Sequence, residues 1–331
     1  MNQYPYDGMD ACVGTLIYPA KSCPTHIPTF QVSAGFRAPE ECKIPASLAV
    51  HRARHHPRAF EFHTFARVRA AAYALEHPET VVTGFGALAL FGLPVMADGC
   101  GVVLAHARTV RRIEGDATTP TVARVRFREG EVWTLHYLGN PIQVAAPPVA
   151  VVQALKAIQK GEESWHTEPI AGEPVLVRAV QLVDAARRFL GVTCADIESA
   201  ASQRLGKRWL KKVLKASSCL ADSPKETEMR LIAVGIAKRF GLTLQEQVAV
   251  VKNGRIVTRF DLALLEVRIG LMYDGSHHWT SKQRNKDSLI NLEVAIEDWT
   301  PLRFSDETLG RLVGLIEELL VKKGWVPSGR L

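Results

Sequence analysis

Residues 259–275 read RFDLALLEVRIGLMYDG, and no other stretch limits the fold of this chain so tightly. Two apolar runs separated by a short polar break predict a pair of buried strands. Asp261 lies inside the first run, and Asp274 closes the second. A carboxylate buried bare is expensive, so each must find a charge partner, hydrogen-bond donors or a metal ion. Spacing alone leaves two readings open. Asp261 pairs with Arg255 or Arg259 and Asp274-Gly275 is an ordinary turn, or the two acids meet and a divalent cation relieves their repulsion. Mg²⁺ is commonly held by one or two carboxylates, with waters and a substrate phosphate completing its shell.

Around this hairpin the pattern gives a complete unit over 222–331. Ser223, Pro224 and Glu226 form a helix start, with cap, first-turn proline and an acid three residues after the cap. Strands follow at EQVAVV, at GRIVTRFDLALL after an Asn253-Gly254 turn, and at VRIGLMYDG. Helical spacing over RNKDSLINLEVAIEDW, a strand TPLRFS and an amphipathic helix ending at Gly324 complete the order α-β-β-β-α-β-α. A capping box accounts for Glu226 by itself. His277 and His278 read either as an exposed loop or as groups for phosphate contact or proton transfer.

Upstream, residues 1–62 show no clear period and end in the basic block HRARHHPRAFEFH, read either as a solvated linker or as a phosphate-contacting arm. Residues 63–160 predict a mixed α/β unit: a helix in FARVRAAAYALE, a second in TGFGALALFGL with Thr83 as cap, four strand-like runs and a helix after Pro147 and Pro148. The turn-rich tract 161–174 is a boundary loop. Residues 175–218 read as helices. The last of them carries Lys207, Arg208, Lys211, Lys212 and Lys215 with no acid, beside Trp209. Such a face is either merely solvated or a contact for a phosphate backbone. The formal charge of +7 favours an acidic partner, nucleic acid first.

Other classes recede. The opening MNQYPYDGMDACVG lacks a basic start followed by an apolar block. The uncharged stretch 80–97 is short, glycine-rich and broken by Pro94, so a buried helix and turn is expected rather than a membrane span. Six cysteines are scattered without a C-x-x-C pair. A cytoplasmic chain with reduced thiols and no membrane partner is the expectation.

The elements SPKETEMRL (223–231), Gln247, RFDLA (259–263), YDGSHH (273–278), Asp287 and DWTPLRF (298–304) together resemble the domain of unknown function related to very-short-patch-repair (Vsr) endonucleases, in the PD-(D/E)XK nuclease superfamily. The resemblance covers about the last third of the chain. It implies a restriction-endonuclease-like domain that cleaves DNA with Mg²⁺ or Mn²⁺. Glu226, Asp261, Asp274 and His278 are then the catalytic residues, Asp261 and Asp274 the metal ligands, and Asp287 a neighbour. One position departs: Met272 stands where the family's E-x-D-G motif has its Glu, and a thioether is a poor ligand for a hard cation. Residues 72–94 and 180–204 resemble the AbiEi-antitoxin-like region that precedes this domain in actinobacterial proteins. The winged helix that usually opens such proteins is not recognisable in residues 1–60. This second resemblance implies a toxin–antitoxin or defence-system protein partner. An alternative function, that of a non-catalytic, antitoxin-like DNA-binding regulator, rests on Met272, the +7 charge and the basic stretches 51–69 and 204–215.

Overall fold

The computed structural model describes residues 17–108, 111–137, 139–274 and 292–327. The chain is mixed α/β with several sheets, and it divides into two compact units. One comprises Met1–His166 with Arg178–Ser217, and the other Thr167–Val177 with Ser218–Leu331. Among the described residues no helix is long and apolar enough to cross a membrane.

In the first unit, β1 (Tyr18–Pro19), β2 (Thr29–Gln31) and β3 (Phe36–Pro39) form a small antiparallel sheet in the order β1-β3-β2. Helix α1 (Ala46–Ala53) follows. The irregular segment expected over 1–62 is therefore a sheet and a helix from residue 18 onward. Strands of two to four residues are too short to show an alternation. Nor is the His-rich block a solvated linker. His56 and Phe62 are buried, and His56 Nε2 lies 3.1 Å from Glu163 Oε2.

Helices α2 (Ala66–Glu76) and α3 (Gly84–Leu90) pack together through small side chains, Ala70, Ala71 and Ala74 among them. Strands β4 (Val81–Thr83), β5 (Val103–Ala105), β6 (Thr121–Ala123), β7 (Val132–Tyr137) and β8 (Asn140–Ala145) form a mixed sheet in the order β6-β5-β4-β8-β7. Helix α4 (Pro147–Gln159) packs against α3. A buried cation, Arg69, knits this unit. It donates to the carbonyls of Asp98 and Cys100, each at 3.0 Å, and sits over the Phe62 ring at 3.9 Å. Those bonds and the ring face offset a desolvation that would otherwise be severe. Helices α5 (Pro174–Leu190), α6 (Cys194–Ala201) and α7 (Lys207–Ala216) lie where their spacing predicts. Helix α6 opens on a full capping box between Thr193 and Asp196.

The second unit begins with α8 (Pro224–Phe240), which ends at Gly241 in the left-handed conformation, φ +67°. Strands β9 (Leu244–Lys252), β10 (Arg255–Leu264), β11 (Ile269–Tyr273) and β12 (Thr300–Phe304) form one sheet in the order β12-β11-β10-β9. The first three pair antiparallel, and β12 joins β11 in parallel. Asn253 and Gly254, at φ +51° and +76°, make the tight turn their dipeptide predicts. Of the helix expected over 284–299, residues 292–296 are helical, and the segment before 292 lies outside the described residues. Helix α9 (Leu312–Lys322) closes the unit.

Met229, Ile232, Ile236 and Phe240 of α8 and Leu312, Ile316 and Leu320 of α9 recur at helical spacing. They pack against Leu262, Leu264, Ile269 and Leu271 of the sheet. A smaller core forms from Val250, Phe260, Ala263 and Val294, with Met272 and Trp299 against it. Its packing depends on Gly270. Phe260 is fully buried and lies where a Cβ at position 270 would stand. Gly270→Ala should therefore cost about 1–3 kcal/mol through overpacking. Gly235→Ala, in open space on α8, should gain up to about 1 kcal/mol from helix propensity. Denaturant midpoints at unchanged m-value read both, and a neutral Gly270→Ala would show that Phe260 has room to move.

Candidate functional site

The site grows from an irregularity in β10. Phe260 pairs with Val248 and Leu262 with Glu246, so Asp261 stands opposite Gln247. Gln247 has φ +54°, a left-handed conformation that costs a non-glycine residue about 1–2 kcal/mol. Its Nε2 donates to Leu220 O at 3.3 Å. The alternation of faces slips at this pair. Phe260, Val248 and Val250 turn to the smaller core, whereas Leu262, Leu264 and Leu244 turn to the larger one. Asp261 occupies the slip.

Its Oδ2 accepts a hydrogen bond from the backbone N–H of Tyr273 at 2.7 Å. The partners expected from sequence, Arg255 and Arg259, do not take that place, and Arg255 instead pairs with Glu293 at 2.8 Å. Burial pushes the Asp261 carboxyl up, and the Tyr273 N–H holds it back. The charges of Glu226, Asp222 and Asp274 then push it up further, to about 7. Three acids from two places in the chain, the start of α8 and the end of β11, thus act on one carboxyl group.

Glu226 does what the capping reading expects. Its Oε1 accepts from Ser223 Oγ at 3.0 Å and its Oε2 from Asp222 N at 2.8 Å. The same cap holds its charge within reach of Asp261. Asp274 follows the last residue of β11 and donates its N–H to Phe304 O at 2.8 Å. Its Oδ1 and Oδ2 lie 3.0 and 3.3 Å from Arg303 Nη1. Arg303 is the β12 residue that pairs with Met272 in register. Met272 itself packs against the smaller apolar core. His277, His278 and Asp287 lie outside the described residues. Among the described residues, no group of three or more His, Cys, Asp or Glu side chains is arranged to hold a metal ion.

Beside the site is an acid that the sequence reading passed over. Glu228 is fully buried and accepts from Lys225 Nζ at 3.2 Å and from Glu168 N at 2.9 Å. Lys225 also reaches Asp306 at 3.3 Å. Burial first, then Asp306, pushes the Tyr273 phenol upward and keeps it protonated. The i, i+3 spacing of Lys225 and Glu228 was the available signal. Gln247 and Arg303 fall within the elements that carry the resemblance, but their partners come from strand register.

The expected nucleic-acid residues lie in the first unit, on α7. Leu210, Val213 and Leu214 are buried there, whereas Lys207, Arg208, Lys211, Lys212 and Lys215 are all exposed. None of the five has an acid partner among the described residues. Compared with protein-family models, with curated proteins and with solved structures, the chain matches none.

The raised Asp261 carboxyl sets a pH dependence. An unfolded Asp loses its proton near pH 4, whereas this one keeps it to about 7. The folded state therefore holds the extra proton, and stability falls as pH rises from about 4 through 7. Asp261→Asn removes the effect. Its stability relative to wild type should rise over that window by on the order of a few kcal/mol, read by urea unfolding at pH 5 and pH 8. A difference that does not change with pH would contradict the assignment.

Proposed function

We propose that the chain is a DNA-associated protein whose second unit is a Vsr-like endonuclease domain, with metal-dependent phosphodiester hydrolysis as its chemistry. The observation that carries this reading is the half-buried Asp261 on β10, within reach of the charges of Glu226, Asp222 and Asp274. Acids gathered from the start of α8, from β10 and from the end of β11 repel one another, and a divalent cation is the ligand that relieves such repulsion. Asp261 Oδ2 is engaged by Tyr273 N, which leaves Oδ1 for a ligand. On this reading Asp261 and Asp274 are the donors, two carboxylates of the kind that hold Mg²⁺ or Mn²⁺ with water and substrate phosphate. When bound, such an ion polarises the phosphodiester and activates a water. Asp261 and Asp274 hold it, Glu226 orients the surrounding polar groups through its cap, and His278 contacts phosphate or moves a proton.

Plasmid and single-stranded DNA incubated with Mg²⁺ or Mn²⁺ test the reading. Cleavage should be lost in Asp261→Asn and Asp274→Asn and should increase in Met272→Glu, which restores a third carboxylate. Absence of metal-dependent cleavage in both the wild type and Met272→Glu would refute an enzymatic role.

A second reading, a non-catalytic DNA-binding regulator of antitoxin type, is favoured by Met272 facing apolar neighbours and by Arg303 on Asp274. On either reading α7 contacts the phosphate backbone. Lys211→Glu with Lys212→Glu should weaken binding to duplex DNA regardless of sequence. It should also reduce the slope of log K against log salt by about 2. An unchanged slope would remove α7 from the interface.

A further inference from the structure

We propose that the first unit binds a nucleotide-sized phosphorylated small molecule in the cleft between strands β4 to β6 and helix α4. This site is separate from the acids around Asp261 and does not depend on the DNA reading. The cleft has a volume of about 360 Å³, within the range of small-molecule sites. Its lining has two characters. Phe85, Val103 and Val152 give an apolar wall, and seven cationic side chains stand against two acids, Glu162 and Glu163.

Most of that charge is already answered. Arg58 pairs with Glu114, Arg112 with Glu114 and Glu162, Lys160 with Glu162, and Arg204 with Glu131. Glu163 is taken by His56 and by the N–H of Gly101. Arg124, Arg126 and Lys156 remain, exposed at the cleft and without an acid partner among the described residues. Arg124 and Arg126 follow the end of β6 two residues apart, and Lys156 comes from α4. Like charges held together from two elements favour a multiply charged anion, which a phosphate or diphosphate supplies.

Thr83 is the independent observation. It lines the cleft and is 2% exposed, yet its Oγ1 has no hydrogen-bond partner. It stands at the cap position of α3 but makes no capping bond. A buried hydroxyl left unsatisfied costs about 1–3 kcal/mol, so a bound ligand with a polar atom there would recover that loss. An apolar wall, one buried hydroxyl and three unanswered cations together describe an organic phosphate. Bare phosphate would leave the wall unused. A duplex is too wide for a cleft of this volume, and the exposed face of α7 suits it better.

The test is calorimetric titration of the full chain with ADP and GDP as probes, and with adenosine and inorganic phosphate as controls. A nucleoside diphosphate should bind, and adenosine should bind at least about tenfold more weakly. The combined variant Arg124→Ala, Arg126→Ala, Lys156→Ala changes exposed side chains only, and it should also lose about tenfold or more in affinity. Thr83→Val should weaken binding while leaving the melting temperature of the free protein unchanged or higher. The proposal is overturned if neither diphosphate binds at millimolar concentration, if adenosine binds as well as ADP, or if the triple variant binds like wild type. It is equally overturned if the triple variant loses oligonucleotide binding while ADP shows none, because the cleft is then a nucleic-acid track.

Discussion

The hydrogen bond from Tyr273 N to Asp261 Oδ2 fixes the second unit at its centre. It joins β10 to β11 at the place where the faces of β10 slip. It thereby holds a carboxyl group in a position that regular strand geometry would not offer. Several features surround that position. Gln247 adopts its left-handed conformation across the sheet, and Phe260 turns to the smaller core and covers Gly270. The helix cap that contains Glu226 comes near enough for its charge to be felt. The bond also limits how far burial can raise Asp261. A backbone donor stabilises the ionised form, while the surrounding acids and the lost water favour the neutral one.

Much of this was legible in the sequence because it is local. Ser223, Pro224 and Glu226 predict their helix start, and Asn253-Gly254 predicts its turn; both are set by side chains within three residues of each other. What was not legible depends on register. Asp261 had two nearby arginines as candidate partners, yet the bond went to a backbone N–H on the next strand. Arg303 gains its role because parallel pairing sets it beside Met272 and within reach of Asp274. Thr83 shows the same limit from another side. Its cap position was read correctly, but whether its hydroxyl bonds there depends on tertiary surroundings. The cleft it lines draws on segments from Arg58 to Arg204, and no window of sequence contains it.

Two arrangements of positive charge coexist in the first unit. On α7 the cations project from one exposed helix face, the geometry for an extended anionic surface. Around the cleft they surround an apolar wall, the geometry for a compact anion with an organic part. The net charge of +7 makes no distinction between them. The helix face that carries one set and the apolar cleft beside the other do.

The parallel pairing of β12 with β11 has a consequence for how the chain reaches this state. Strands β9, β10 and β11 are joined by short turns and can find one another early, whereas β12 starts 27 residues after β11 ends. Closing that longer connection carries more entropy loss than closing either turn. Arg303 lies on β12, so its ion pair with Asp274 needs that longer connection to close. The pairing that brings Arg303 to Asp274 is thus the contact of this sheet with the largest separation along the chain.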